Sequence, residues 1–176
     1  MSGIDRTIAL VGMMGAGKSS VGRRLAARLN LPFRGADSEI EQAAGCSITE
    51  IFARYGEAAF RDGERRVIAR LLTEAPHVLA TGGGALIDET TRQALQKQAV
   101  TIWIKAPLEV LLTRVQRRDT RPLLNNGDRR ETLTRLLAER EPFYAQANIT
   151  VDSGDGPHAT AVERIIATLR ENGVMA

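Results

Sequence analysis

The segment Gly12-Met13-Met14-Gly15-Ala16-Gly17-Lys18-Ser19 carries the spacing G-x-x-x-x-G-K-S, in which every residue type has a physical job on a phosphate chain. Glycines let the backbone turn tightly with its N–H groups facing inward, the lysine reaches the outer phosphates, and the serine hydroxyl is suited to holding Mg²⁺. Gly15, Ala16, Gly17, Lys18, Ser19 and Ser20 are therefore the candidates to wrap a nucleotide's phosphates, with Lys18 beside the reacting group and Ser19 on the metal. Lysine is rare in this chain: Lys18, Lys97 and Lys105 are the lysines among 24 basic residues, the rest being arginine. A compact ammonium placed where planar forks are otherwise preferred fits a point-charge contact to phosphate.

Such a loop needs a strand before it and a helix after it, and the flanking sequence supplies both. The apolar run Ile8-Ala9-Leu10-Val11 leads into Gly12, and Val21, Leu25 and Leu29 recur at i, i+4 and i+8 over residues 18–29. Further strands are expected at 31–33, 77–80, 100–104 and 148–151, joining one at 7–11 to make five. Helices are expected at 37–44, 49–52, 57–72, 89–98, 108–117, 129–145 and 158–170. This alternation predicts an α/β protein, a five-stranded parallel sheet with helices on both faces, in a single domain over 1–176. Ligands bind such sheets beyond the carboxyl ends of the strands, so the loops after Val11, Phe33 and Ala80 should meet at one crevice. Residues 117–128 are rich in turn formers and in arginine, and read as a mobile lid closing on nucleotide.

Composition narrows the class. At 43% hydrophobic and 26% charged, the 176 residues suit a soluble globular domain. The net charge of +3 comes from arginines dispersed among acids, and 4% aromatic content leaves little for a base-stacking surface, so no nucleic-acid partner is expected. The stretch Met1-Ser2-Gly3-Ile4-Asp5-Arg6 lacks the apolar core of a signal peptide, no run is long enough to span a membrane, and the lone Cys46 forms no internal disulfide. A cytoplasmic monomer without a membrane partner is the expectation. Cys46 reads as a small buried or half-buried side chain without a chemical role, His77 and His158 as structural or solvent-facing, and the last six residues as a frayed tail.

Outside the phosphate loop stand Asp37 after the second strand, Phe60-Arg61 with Glu64, Thr81-Gly82-Gly83-Gly84 after the third, Arg121-Pro122-Leu123-Leu124, and Arg140-x-Pro142-x-Tyr144. Together with the loop, in this order and over nearly the whole chain, they resemble the shikimate kinase family. The resemblance implies a P-loop kinase fold and transfer of the ATP γ-phosphoryl group to the 3-hydroxyl of shikimate, with ATP as co-substrate and Mg²⁺ as cofactor, in aromatic amino-acid biosynthesis. Arg61 and Arg140 match the family's carboxylate-binding arginines, although each could instead be a surface ion pair. Asp37 matches the aspartate that meets the substrate hydroxyls and is the candidate base; its position also allows a helix N-cap. Gly82, Gly83 and Gly84 would let the backbone approach the substrate, Gly83 being the matched contact, and otherwise form a bare turn. Arg121 matches the lid arginine at the transferring phosphoryl, and Arg114 the position that packs on adenine or else a helix-surface ion pair. Phe52 and Phe60 wall the pocket or belong to the core.

Two departures stand out. The family's Asp-x-Asp after the second strand is Gly35-Ala36-Asp37 here, so a carboxylate that helps place Mg²⁺ through its water shell is missing. Three readings remain: a working enzyme relying on Ser19, phosphates and water, which the retained Asp37 and arginines favour; another acid in its place; or nucleotide binding without efficient turnover. The second departure is Asp155-Gly156-Pro157, where relatives often place a basic residue near adenine. The rivals are another small-molecule P-loop kinase, for gluconate or a nucleotide, and a noncatalytic nucleotide-binding homologue.

Overall fold

The computed structural model describes residues 3–116, 128–154 and 156–175. Five strands, β1 (Thr7–Val11), β2 (Phe33–Gly35), β3 (Val78–Ala80), β4 (Ala99–Lys105) and β5 (Ile149–Asp152), form one parallel sheet in the order β2-β3-β1-β4-β5. Seven helices surround it: α1 (Lys18–Leu29), α2 (Ala36–Ala44), α3 (Ile48–Leu71), α4 (Glu89–Gln98), α5 (Leu108–Gln116), α6 (Arg129–Tyr144) and α7 (His158–Glu171). The chain moves outward from β1 to β2 and in the opposite direction from β3 to β4. Right-handed crossovers therefore place α1 and α4 on opposite faces of the sheet. β1 is buried along its whole length, as a central parallel strand with both faces covered must be.

Register explains why distant residues meet. Leu10 of β1 lies opposite Ala80 of β3 and Ile102 of β4, and Gly35 of β2 also lies opposite Ala80. The chain thus leaves β1, β2 and β3 at one level, delivering Gly12, Asp37 and Thr81 to the same edge. This is the crevice expected from the strand order.

The element ends shift where sequence patterning is weakest. The second strand runs over Phe33–Gly35 instead of 31–33, because its pairing partner is Val78–Ala80 and Leu31 and Pro32 precede that register. The two helices expected at 49–52 and 57–72 are both present within α3, on either side of Gly56, whose backbone is not helical (φ 85°, ψ 174°). That conformation is open essentially to glycine alone, so the break was real and its glycine is the hinge. A short 3₁₀ turn at Ala85–Ile87 was not anticipated. The C-terminal end is not frayed: Gly173 (φ 70°) reverses the chain and the Val174 N–H donates to Leu169 O at 2.9 Å, a Schellman closure that packs Val174 against the core. The expected lid at 117–128, with Arg121, lies outside the described residues save for Asp128, which caps α6 through its side chain on the Arg130 N–H.

Candidate active site

The phosphate loop joins β1 to α1 through backbone that favours glycine at three points, Gly12, Gly15 and Gly17. Gly17 (φ 96°) is the N-cap of α1, and a Cβ on Gly12 (φ 146°) would lie 2.7 Å from Ile104 O. Lys18 is buried and its ammonium donates to Gly12 O and, at 3.4 Å, to Met13 O, folding the side chain back over the loop. Ala16 uses its N–H on Met13 O at 3.1 Å, so within the loop it acts as a turn residue. Arg114 forms no ion pair among the described residues. Its guanidinium donates to Gly15 O (3.2 Å), Ala16 O (3.0 Å) and Gly154 O (3.0 Å), tying the loop to the segment after β5. A cleft of about 260 Å³ opens here, lined by Lys18, Ser19, Asp37, Thr81, Arg114 and His158, with Gly15, Gly17, Ser20 and Gly82 also on its wall.

The other half of the site is built from buried charge. Asp37 sits in the first turn of α2 and does not cap it; the N-cap is Gly35, with no side-chain bond, which leaves the Asp37 carboxylate to the cleft. Glu64 is 2% exposed, pairs with Arg61 at 2.9 Å through Oε1, and leaves Oε2 without a hydrogen-bond partner. Burial raises its pKa above the ordinary glutamate value, Arg61 opposing that shift and Asp37 adding to it. A Cβ on Gly82 would lie 2.8 Å from Glu64 Oε2 and 3.2 Å from Asp37 Oδ1, and one on Gly84 would lie 2.8 Å from Arg61 Cζ. The triple glycine is thus more than a bare turn: it lets two carboxylates and a guanidinium close against the backbone.

Arg61 does form ion pairs, with Glu64 and at 3.6 Å with Glu57, and its guanidinium lies 5.1 Å from the Phe60 ring centre. Phe52 and Phe60 pack together at 4.9 Å and both join the core, so their part is to support Arg61 from below. Arg140 differs sharply. It is 2% exposed, has no carboxylate within ion-pair distance among the described residues, and its Nε and Nη1 make no hydrogen bond. Nη1 faces Gly83, 3.2 Å from where a Cβ would stand.

The residue that holds these halves together was quoted in sequence only as part of a motif. Tyr144, fully buried, donates its hydroxyl to Gly83 O and approaches Met13 Sδ of the phosphate loop at 3.8 Å. Burial pushes its pKa up to about 12, with Arg140 opposing. Its place in the Arg140-x-Pro142-x-Tyr144 run, one helical turn from Arg140, was the available signal. Glu64 was visible three residues after Arg61 but received no role. His158, read as structural or solvent-facing, instead lines the cleft, because α7 begins beside Gly17. His77 is buried as expected and Cys46 is half-buried and free.

A phosphate loop at the carboxyl edge of a parallel sheet, beside two arginines and two carboxylates of which Arg140 and Glu64 are buried, defines a P-loop kinase of a small molecule. A family model described as "Shikimate kinase" matches residues 14–170. The shikimate kinase of Caulobacter vibrioides is 59% identical over 166 residues, covering 94% of this chain and 83% of that one. The shikimate kinase of Bradyrhizobium diazoefficiens is 59% identical over 165 residues, covering 94% and 80%. Among solved structures, a shikimate kinase from Acinetobacter baumannii in complex with shikimate superposes with a TM-score of 0.93 at 36% identity, covering 95% of this chain and 94% of that one. The chain belongs to the shikimate kinase family, and is an ATP-dependent small-molecule kinase.

Proposed function

We propose that this chain transfers the γ-phosphoryl group of ATP to the 3-hydroxyl of shikimate, giving shikimate 3-phosphate and ADP. The observation that carries the substrate side is Arg140. A buried guanidinium with unpaired N–H groups is costly unless an anion completes it, and a planar carboxylate matches its fork. Arg61, anchored by Glu64, supplies the second cation, while Gly82, Gly83 and Gly84 let the ring approach the backbone. Asp37 and the unpaired Glu64 Oε2, converging at Gly82, offer acceptors for ring hydroxyls.

In the reaction, the substrate oxygen forms a bond to the γ-phosphorus as the bond to the β–γ bridging oxygen breaks, and the hydroxyl proton passes to Asp37. Lys18 and the lid residue Arg121 neutralise charge on the transferring group, and Gly15, Gly17, Ser19 and Ser20 present backbone to the phosphates. Arg114 carries the adenine on the open side of its guanidinium plane. Mg²⁺ fits this donor set, since Ser19 lines the cleft and hard cations take oxygen ligands with retained water. Ser19 would hold it, and it would offset charge on the β- and γ-phosphates. Among the described residues no cluster of three or more acidic, His or Cys side chains offers an all-protein cage, which accords with a metal held largely by phosphate and water. The chain acts as a single domain and monomer in the cytoplasm, without nucleic-acid or membrane partners; no helix among the described residues is long and apolar enough to cross a membrane.

Purified protein with ATP and Mg²⁺ should release ADP when shikimate is added and not when gluconate is added. Absence of shikimate-dependent turnover at saturating Mg²⁺ would sink this reading and favour a noncatalytic nucleotide binder.

A further inference from the structure

His158 is the first residue of α7, and its half-buried ring closes onto the phosphate loop. The point where a Cβ of Gly17 would stand lies 2.9 Å from His158 Cε1, 3.2 Å from His158 Nδ1 and 3.4 Å from Arg114 Nη1. Nδ1 is sealed from solvent and has no hydrogen-bond partner, whereas Nε2 is not sealed. Burial, with Arg114 and then Arg24, lowers the pKa of the ring, so it stands neutral at physiological pH. A neutral imidazole carries one proton, and the tautomer follows from the surroundings. A proton on Nδ1 would face no acceptor, so the proton stands on Nε2, the nitrogen that is not sealed.

We propose that His158 is a nucleotide-binding residue of this chain, its Nε2–H donating a hydrogen bond to an oxygen of the bound nucleotide's ribose-phosphate. The ring shares its cleft with Gly17, Lys18, Ser19 and Arg114, and the cations around it make that wall a place for oxygen acceptors. The donor is uncharged, so it adds affinity through direction and leaves the charge balance of the phosphate site unaltered. It is also placed to hold the loop: an imidazole resting on Gly17 restricts the residue that caps α1. This proposal rests on the nucleotide half of the function proposed above.

Calorimetric titration of Mg-ADP and of shikimate into the wild type, His158→Phe and His158→Gln separates the possibilities. Phenylalanine keeps a ring against Gly17 and removes the donor, and should weaken ADP roughly 3- to 10-fold, the span of one neutral hydrogen bond. Shikimate affinity and thermal midpoint should stay as in the wild type, and glutamine, which retains an N–H, should bind ADP within about twofold of it. Equal ADP affinity in the phenylalanine variant overturns the role of His158 while leaving the kinase assignment standing. Loss of both ligands together, or a lower thermal midpoint, assigns the residue to packing. A wild type that binds no Mg-ADP overturns the nucleotide site itself.

Discussion

The two halves of the site are built by opposite means. The half proposed for the nucleotide is made of backbone: eight consecutive residues, Gly12 to Ser19, bend a turn of the kind whose N–H groups suit a phosphate. Its lysine is satisfied by carbonyls of the same loop. The half proposed for shikimate is made of side chains from α2, α3, the turn after β3 and α6, and it keeps two charges, Glu64 and Arg140, buried and incompletely hydrogen-bonded. A backbone site carries much of its own organisation locally. A site of buried charges depends on neighbours several elements away, and its unpaired groups are where a ligand's complementary charge repays most.

That contrast can be broken or sharpened. Gly84→Ala would place a Cβ 2.8 Å from Arg61 Cζ, while Glu64 holds the same guanidinium from the other side. Shikimate KM should rise about 10- to 100-fold with ATP KM nearly unchanged, since displacing a buried charge pair costs a few kcal/mol. Steady-state kinetics in both substrates checks this, and a matching rise in ATP KM would mean that the halves are not separable.

Tyr144 spans both halves, and its hydroxyl offers a test by pH. Its folded pKa, about 12, lies above the usual 10.0, so the folded state retains a proton that the unfolded chain loses. The stability this contributes is complete below pH 10 and is lost as pH rises from 10 towards 12, by up to about 3 kcal/mol. In Tyr55→Phe, where Tyr144 is the remaining tyrosine, tyrosinate absorbance should appear with a midpoint about 12. A midpoint near 10 would show that the hydroxyl is not locked against Gly83.

The smallest effect belongs to the metal. Gly35 has an ordinary extended backbone (φ −100°), and a Cβ there would meet Phe33 and Ser38 at 3.7 and 3.8 Å, ordinary contacts. Nothing in the fold demands glycine. Gly35→Asp should restore the family's carboxylate beside the metal proposed on Ser19 and lower the Mg²⁺ needed for half-maximal rate roughly twofold to tenfold, the lower part of the range over which outer-shell groups tune metal sites. An unchanged Mg²⁺ curve would show that phosphates and water already suffice.

The same contrast decides what could be read from sequence. The loop, its strand and its helix were legible because local geometry forces glycine, lysine and serine into adjacent positions, and the five-strand alternation followed from hydrophobic period. The break between the two helices of α3 was legible, because Gly56 interrupts the helical pattern where the backbone leaves the helical region. Arg61 and Arg140 were identified through the family motif. That Arg61 is anchored by Glu64 while Arg140 stands unpaired depends on burial, which arises only when α3 and α6 pack beside Gly82–Gly84. His158 was read as structural or solvent-facing although the family resemblance sets the adjacent stretch 155–157 near adenine; that α7 starts against Gly17 emerges only from packing.

The central claim is that Arg140, buried and with no carboxylate in ion-pair distance among the described residues, pairs with the carboxylate of shikimate, in a half of the site that can fail alone. Calorimetric titration of shikimate and of Mg-ADP into Arg140→Ala tests it most directly. Shikimate affinity should fall by about 100-fold or more, as expected for losing a desolvated charge contact, while Mg-ADP affinity stays within about twofold of the wild type. Retained shikimate binding, or equal loss of both ligands, would contradict the account.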